Sequence, residues 1–192
     1  MRFRRRLRAC QLATRWVRRL IAFVTPIAVL LGVPAWFLFP PQDDPVSSDV
    51  IFVLAGAYDG RHELGAQMVA QGVSQHFVVS NSSGSKDKVG SEHCRGDSRP
   101  QSAEDVWCLQ ADPLTTTGEA VALDELAKKE GWASVTAVTN RPHTRRVRTN
   151  LEQCTDLNVE VVPIDEIDIL RAPTQVAREI GGYIKFLITN PC

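Results

Sequence analysis

The sequence predicts a Rossmann-like α/β domain, a mostly parallel sheet with helices on both faces, preceded by one N-terminal transmembrane helix. Two observations predict this fold. An uncharged apolar segment follows a basic start, and after residue 50 short β-rich runs alternate with helical patterns. Strands that alternate with helices of about 10–15 residues are typical of parallel sheets with right-handed crossovers.

The first 39 residues predict a membrane anchor. Residues 1–19 form a basic stem with eight arginines and no acid, and residues 20–39 carry no charge. About 20 apolar residues in a helix match a hydrocarbon core of about 30 Å. The positive-inside rule then predicts a single-pass protein of the plasma membrane, with a cytoplasmic N-terminus and an extracytoplasmic C-terminal domain.

A cleaved signal peptide is the alternative for this segment, because it also begins with basic residues followed by an apolar run. The apolar run here is longer than a signal core of about 7–15 residues. The nearest match to a small-residue cleavage site, at residues 33–35, runs directly into Trp36 and Phe37. We therefore expect the anchor to stay uncleaved.

The part of the chain after the anchor is acidic. All 22 acidic residues lie after residue 42, and residues 43–192 carry a net charge of −8. An acidic domain argues against nucleic acid as a partner, and an anionic ligand would have to be attracted by a local basic cluster. These 150 residues suffice for one domain with a core.

Four of the five cysteines lie in the predicted exterior part, where disulfides form and persist. Four cysteines allow three pairings. We expect Cys94 to pair with Cys108, because the short loop between them closes easily, and Cys154 with Cys192 is then the default second pair. No C-x-x-C motif or Cys/His cluster with zinc spacing occurs, so no metal site is expected.

Residues 40–49 have the Pro, Asp and Ser content of a linker, and the domain proper is expected over residues 50–192. Val50 to Ala55 is a continuous apolar run of strand length. Helical spacing of apolar residues then predicts a helix from Arg61 to Gln71, and His76 to Ser80 is a second short strand.

Residues 81–107 interrupt this alternation. The segment is polar and rich in Gly and Ser, and it contains Cys94, with Cys108 directly after it. A stretch of this length is usually a functional lid or a loosely ordered insertion.

The alternation resumes with a helix from Gly118 to Glu130, capped by Thr117 and ended by Gly131. Its apolar residues recur on one face, as expected of a helix packed on a sheet. Val135 to Thr139 is again β-rich and predicts the third strand.

Pro142 occupies the position that proline prefers at the start of a helix, and the pattern predicts a helix from there to about Gln153. Val159 to Ile164 has the composition of a fourth strand. A last helix, from Pro173 to about Leu187, is expected to close the chain.

Open α/β sheets bind ligands beyond the carboxyl ends of their strands. Four polar segments lie at or near these predicted ends, namely residues 56–61, 80–84, 115–119 and 139–146. Taken alone, Gly56 fits an ordinary turn and Thr115 to Thr117 fit a helix cap. No G-x-G-x-x-G or P-loop motif occurs.

The segment 139–146 departs from the usual chemistry of a helix start. The positive end of the helix dipole favours acids, yet this turn carries Arg141, His143, Arg145 and Arg146. A bound anion would make the arrangement favourable. His143 and Arg146 share a helix face, which Asn150 continues. In this interpretation Arg146 is unpaired until a ligand binds, whereas Arg145 and Arg148 are better explained as solvated surface residues.

The combination of segments resembles the bacterial SanA/YdcF/ElyC-like proteins. It is carried by a Gly-turn with Arg61, a strand ending in Ser80, T-T-T-G-E-A at 115–120 and V-T-N-R-P-H-T-R-R at 138–146, within residues 48–170. The resemblance is closest to membrane-anchored members in which two cysteines flank the insertion. It puts Arg61, Thr117, Glu119, His143 and Arg146 at motif positions, and Thr116 stands where the common form has Asn.

The resemblance implies a role in the cell envelope or in cell-wall biogenesis, without an agreed reaction or cofactor. We expect a pocket for a phosphorylated small molecule or cell-wall precursor, in which Arg61 and Arg146 hold the anion. His143 would be the general acid or base and Glu119 its partner. The remaining candidate ligand-binding residues are Gly56, Ser80, Thr116, Thr117 and Asn150.

Two alternatives stay open. One is a non-catalytic envelope sensor or scaffold, which would use the same pocket without turnover. The other is an anchored glycosyltransferase, which is less favoured because residues 165–168 offer no D-x-D motif at a strand end and the domain is short for that class. Whether the protein is an enzyme is not decided by the sequence.

Overall fold

The computed structural model describes residues 2–44, 47–56, 59–82, 84, 88–95, 100–189 and 192. The chain divides into two compact units, residues 1–36 and residues 37–192.

The first helix, α1, runs from Arg2 to Leu38 and contains Pro26 and Pro34. Its segment Arg15–Leu38 is long and apolar enough to cross a membrane. This length and composition fit the single-pass anchor that the sequence predicts. The helix also extends through the basic stem rather than beginning at residue 20.

The second unit contains an all-parallel sheet of five strands in the order β3-β2-β1-β4-β5. The strands are β1 (Val50–Val53), β2 (His76–Ser80), β3 (Asp105–Leu109), β4 (Ser134–Thr139) and β5 (Asn158–Pro163). The helices are α2 (Arg61–Ala70), α3 (Lys88–Cys94), α4 (Thr116–Glu130), α5 (Thr144–Cys154) and α6 (Ala172–Thr189). The predicted Rossmann-like α/β fold is confirmed.

Apolar residues cover both faces of the sheet. On one face, Phe52 of β1 and Leu54, the residue directly after this strand, pack with Leu123 of α4 and Leu151 of α5. On the other face, the core includes Ile51 of β1, Met68 of α2 and Phe77 of β2. The continuous apolar run of β1 is explained by this double coverage, because a central parallel strand is buried on both sides.

The order of the strands reverses between β1 and β4. The chain builds β1, β2 and β3 towards one edge and then returns to place β4 on the other side of β1. Val53 of β1 is in register with Val138 of β4. A crevice forms beyond the carboxyl ends of two strands at such a reversal, which is the usual place for a ligand in this fold.

The segment 81–107 is not simply a lid or a loose insertion. Its described residues include α3 and the beginning of β3. β3 is an edge strand that pairs with β2, and its Val106 is in register with Phe77. A disulfide joins Cys94 of α3 to Cys108 of β3, with Cα atoms 5.5 Å apart. Cys154 is bonded to Cys192, with Cα atoms 5.2 Å apart. Both predicted pairings are confirmed, and both Cα separations are usual for disulfides.

Two predicted helix starts are shifted by local capping. Thr115, not Thr117, caps α4, because its side chain accepts a hydrogen bond from the Gly118 N–H at 3.1 Å. Pro142 lies in a 3₁₀ turn, Arg141–His143, and α5 begins directly after this turn, at Thr144. The Asn140 side chain accepts from the His143 N–H at 3.2 Å and satisfies this turn.

The predicted linker is bonded to the domain at both of its described ends. Asp43 accepts a hydrogen bond from the Val161 N–H at 2.7 Å and pairs with Arg148. Asp49 accepts from the Ala133 N–H at 2.8 Å, and this backbone bond is the main cause of its lowered pKa.

Candidate functional site

A polar cleft of about 1520 Å³ lies at the carboxyl ends of the strands. Its wall includes residues from all four of the predicted segments and, in addition, one side of α6. The residues that line it include Gly56, Asp59, Arg61, Thr115, Thr116, Thr117, Gly118, Glu119, His143, Arg146, Asn150 and Glu179. Ser80 is fully buried beneath them.

Glu119 joins α4 to the ends of β1 and β2. Its Oε1 accepts hydrogen bonds from the Ala55 N–H at 3.0 Å and from the Ser80 hydroxyl at 2.5 Å. The side chain is 6% exposed. These bonds give Glu119 and Ser80 a role in fixing the floor of the cleft, whereas the carboxylate bonded to His143 is that of Glu179.

Arg61 braces the turn after β1. Its guanidinium donates to both carboxylate oxygens of Asp59, at 2.8 and 2.5 Å, and to the Ala55 carbonyl at 3.0 Å. A Cβ atom at Gly56 would lie 2.4 Å from Nη1 of Arg61, so only glycine leaves room for this packing. The charge of Arg61 is therefore matched by Asp59 before any ligand arrives.

Arg146 is paired with Glu179 of α6, a residue that the sequence analysis did not select. Nε donates to Oε2 at 2.6 Å and Nη2 donates to Oε1 at 2.9 Å. Nη1 donates to the Thr116 hydroxyl at 2.7 Å. The expectation that Arg146 is unpaired in the empty protein is wrong, because α6 supplies a carboxylate in bidentate geometry.

The sequence contains a signal for this pair. Glu179 is the only acid of α6 and lies on the buried side of the helix, near Val176 and Phe186. A Cβ atom at Gly182 would lie 2.7 Å from Nε of Arg146, so a glycine is needed one turn after Glu179. A lone acid on an apolar helix face, followed by glycine, indicates a buried cation opposite.

His143 lies between Glu179 and Thr116. Its Nδ1 is 3.0 Å from Oε2 of Glu179, and its Nε2 is 3.4 Å from the Thr116 hydroxyl oxygen. Burial, together with the charge of Arg146, lowers the pKa of His143 and outweighs the opposing effect of Glu179. The ring is consequently neutral near pH 7, with the Nδ1 proton donated to Glu179 and with Nε2 as the acceptor that faces the Thr116 hydroxyl.

Glu179 stays ionised despite its position. Burial opposes its charge, but His143 and Arg146 together lower its pKa from 4.5 to about 2. Since His143 is neutral near pH 7, Arg146 is the cation that balances Glu179 there. Glu179 thus holds the Arg146 guanidinium and the His143 imidazole in fixed orientations at the wall of the cleft.

Thr117 and Asn150 connect the two helices that flank the site. The Thr117 hydroxyl donates to Oδ1 of Asn150 at 2.6 Å, and Nδ2 of Asn150 donates to the Arg146 carbonyl at 2.7 Å. These two bonds hold the first turn of α4 against α5 and Arg146. Gly118 in the same turn leaves room for the preceding loop, because a Cβ atom there would lie 2.0 Å from the Pro113 carbonyl oxygen.

Among the residues that the structure describes, the lining of the cleft carries both charges in equal number. These lining residues include six basic side chains and six carboxylates, and two of the basic residues, Arg61 and Arg146, are closely paired with Asp59 and Glu179. Within the part of the chain that the structure describes, no group of three or more His, Cys, Asp or Glu side chains is placed to hold a metal ion.

Fold and site together define a class: a Rossmann-like α/β domain that follows a helix of membrane-spanning length and has a polar cleft at its topological switch point. Comparisons with protein-family models, with curated proteins and with solved structures find no match to this chain.

Proposed function

We propose that the protein is a membrane-anchored cell-envelope protein that binds a phosphorylated small molecule, nucleotide-like or a lipid-carrier-linked cell-wall precursor, in this cleft. The observation that carries the proposal is the arrangement of Arg146, Thr116 and the first turn of α4. The resemblance to the SanA/YdcF/ElyC-like proteins supports the envelope role, since all five of the motif positions line one cleft.

Arg146 keeps binding capacity although it is paired. A guanidinium has five N–H donors, and the bonds to Glu179 and Thr116 use three of them. Glu179 holds Arg146 through Nε and Nη2, so that Nη1 is presented at the start of α4. A guanidinium with a fixed orientation loses less entropy when it binds a phosphate oxygen.

The first turn of α4 adds to this anion site. The first N–H groups of a helix have no partner inside the helix, and the dipole places about half a positive charge there. Thr115 satisfies the Gly118 N–H. A phosphate oxygen near the Thr116 hydroxyl would accept hydrogen bonds from the helix start and from Nη1 of Arg146, which is the usual chemistry of phosphate sites at helix N-termini.

A second candidate function is catalysis by the same site, and the His143–Glu179 pair favours it. A carboxylate on Nδ1 fixes the tautomer that leaves Nε2 free to take a proton. The base would act on a ligand hydroxyl or on water, and Glu179 would stabilise the imidazolium that forms. The non-catalytic sensor differs only in that no proton is transferred.

The binding proposal is tested on the full chain in lipid nanodiscs by calorimetric titration with pyrophosphate and with uridine diphosphate. Charge-assisted hydrogen bonds contribute about 1.5–3 kcal/mol each, so Arg146→Gln should weaken binding about ten- to a hundredfold. Arg148→Gln is the matched control, because Arg148 is on the same helix but pairs with Asp43. Equal affinity in both variants, or no binding by the unmodified chain, would contradict the proposal.

Thr116→Val keeps the Arg146–Glu179 pair and removes only the hydroxyl. It should weaken binding less than Arg146→Gln while leaving the fold intact.

His143→Gln separates the two candidate functions. If the protein is an enzyme, this variant binds ligand with little change in Kd and forms no product, whereas a sensor gives no product even with histidine at 143.

A further inference from the structure

The outward side of α6 continues into the turn before it as one strip of apolar side chains, beside which Glu166 and Asp168 are also exposed. Its large exposed side chains, with their exposed fractions, are Ile169 (79%), Leu170 (93%), Ile184 (53%), Leu187 (72%) and Ile188 (77%). Pro173, Ala177 and Gly181 are the exposed small residues between them. Soluble domains seldom expose a continuous apolar strip of this kind, and where it occurs it marks an interaction surface.

Basic residues border this strip on one side only. Arg171, Arg178 and Lys185 recur every seven residues, which is about two helical turns, and all three are exposed. The only acid of α6, Glu179, is buried on the opposite side. Arg171 also has Asp168 at 3.3 Å. Within α6 itself, the apolar face is flanked by Lys and Arg and by no exposed acid, which is the composition of helices that lie in the surface of anionic membranes.

The membrane that would receive this face is within reach by chain length alone. Leu38 ends the segment that fits a membrane span, and Asp43 is already hydrogen-bonded to Val161 of β5. Five residue steps extend over about 18 Å at most. In the second compact unit, the ring of Phe37 also packs with Tyr183 of α6, with centroids 6.0 Å apart.

We propose that α6 lies in the surface of the membrane that holds α1. Ile184, Leu187 and Ile188 enter the lipid, and Arg178 and Lys185 contact anionic headgroups. Because these two basic residues also line the cleft, one wall of the cleft then lies at headgroup level. The inference rests on α6 itself and holds whether or not the cleft binds a phosphorylated ligand.

The same observations indicate what kind of partner covers the apolar strip of α6. A second copy of the chain or a protein partner would cover the apolar strip equally well, but neither explains why the basic residues are confined to one border and why α6 exposes no acid. A bilayer explains both, since long basic side chains extend from an interfacial helix towards phosphate groups.

The test uses the full chain in liposomes of phosphatidylglycerol and phosphatidylcholine, with the photo-crosslinking residue p-benzoylphenylalanine at position 184 or 188. Position 129 is the control, because Lys129 is 76% exposed at the end of α4 that points away from the cleft. After irradiation, mass spectrometry should find lipid adducts at positions 184 and 188 and none at 129.

A companion variant, Arg178→Gln with Lys185→Gln, separates headgroup attraction from apolar contact. Its adduct yield at position 188 should fall, in anionic liposomes, to the yield obtained in liposomes of phosphatidylcholine alone. Absence of lipid adducts at both 184 and 188 overturns the proposal. Adducts to a second copy of the chain or to another protein, in place of lipid, overturn it as well.

Discussion

Glu179 makes the stability of the domain sensitive to acid. Its pKa is lowered from 4.5 to about 2 in the folded chain, so it binds its proton more weakly than in the unfolded chain. Such a group stabilises the fold above pH 4.5 and loses this contribution as the pH falls from 4.5 towards 2. The shift corresponds to about 3 kcal/mol.

We therefore expect the free energy of unfolding of the full chain, measured by urea titration, to fall over this window. Glu179→Gln should remove part of the slope. His143 adds to the fall from about pH 6.5 downwards, because its pKa is also lower in the folded state. An unchanged slope in Glu179→Gln would show that Glu179 does not titrate as the buried partner of Arg146.

Arg146 and Arg148 are neighbours in sequence but should differ strongly in their effect on stability. Glu179 is 6% exposed, and removing its partner leaves a buried charge, which costs about 3–5 kcal/mol. Arg148 and Asp43 are about a quarter to a third exposed, and such pairs contribute about 0–1 kcal/mol.

Arg146→Gln should accordingly destabilise the ligand-free chain by several kcal/mol, and Arg148→Gln by about 1 kcal/mol, in urea unfolding monitored by circular dichroism. Equal losses would mean that Glu179 finds another partner. Stability and ligand affinity are separate measurements here, so a destabilised Arg146→Gln that binds pyrophosphate as before contradicts the proposed site and leaves the ion pair in place.

At the scale of elements, two glycines inside helices should respond in opposite ways to alanine. Gly118 of α4 has the Pro113 carbonyl oxygen 2.0 Å from the position of a Cβ, whereas Gly181 of α6 has no atom within 4 Å. Gly118→Ala forces backbone to move and should cost about 1–3 kcal/mol. Gly181→Ala should stabilise by about 0.5–1 kcal/mol, because glycine loses more chain entropy in a helix. Thermal unfolding of both variants, measured side by side, checks the prediction.

The sequence predicted the elements whose burial is strong and missed those whose burial is partial. β1, β2, β4 and β5 are apolar enough to be found from composition, and α4 and α6 from their apolar spacing. β3 was missed because an edge strand is covered less: only Leu109 of its five residues is buried. The two disulfide pairings were predictable because the even cysteine count leaves few choices.

The residues of the candidate site were also predicted only in part. Strand ends are predictable, so Glu119, His143 and Arg146 were expected near one another, and all three line the cleft. Glu179 was missed because the signal in α6, a lone acid on an apolar helix face, does not show which basic residue elsewhere in the chain is its partner. Glu179 is nevertheless the residue that balances the charge of Arg146.

At the scale of the whole molecule, charge and apolarity are divided along the chain. The eight arginines before residue 20 and the net charge of −8 after residue 42 flank an uncharged stretch. The segment Arg15–Leu38 has the length and apolar composition of a membrane span. The positive-inside rule predicts that the cation-rich end stays in the cytoplasm, and the two disulfides are of the kind that an oxidising, extracytoplasmic compartment maintains.

We expect protease added to intact protoplasts to digest residues 43–192 and to spare the basic N-terminal end. The physical reason is that eight arginines resist transfer across the membrane, so the chain inserts with its C-terminal domain outside. Immunoblotting with one antibody to each end reads the result, and lysed protoplasts give the control in which both ends are digested. Disulfides slow but do not prevent cleavage, so prior reduction of the sample should only speed digestion. A domain that survives in intact protoplasts and is digested after lysis would place it in the cytoplasm, where its two disulfides would also have no oxidising environment to maintain them.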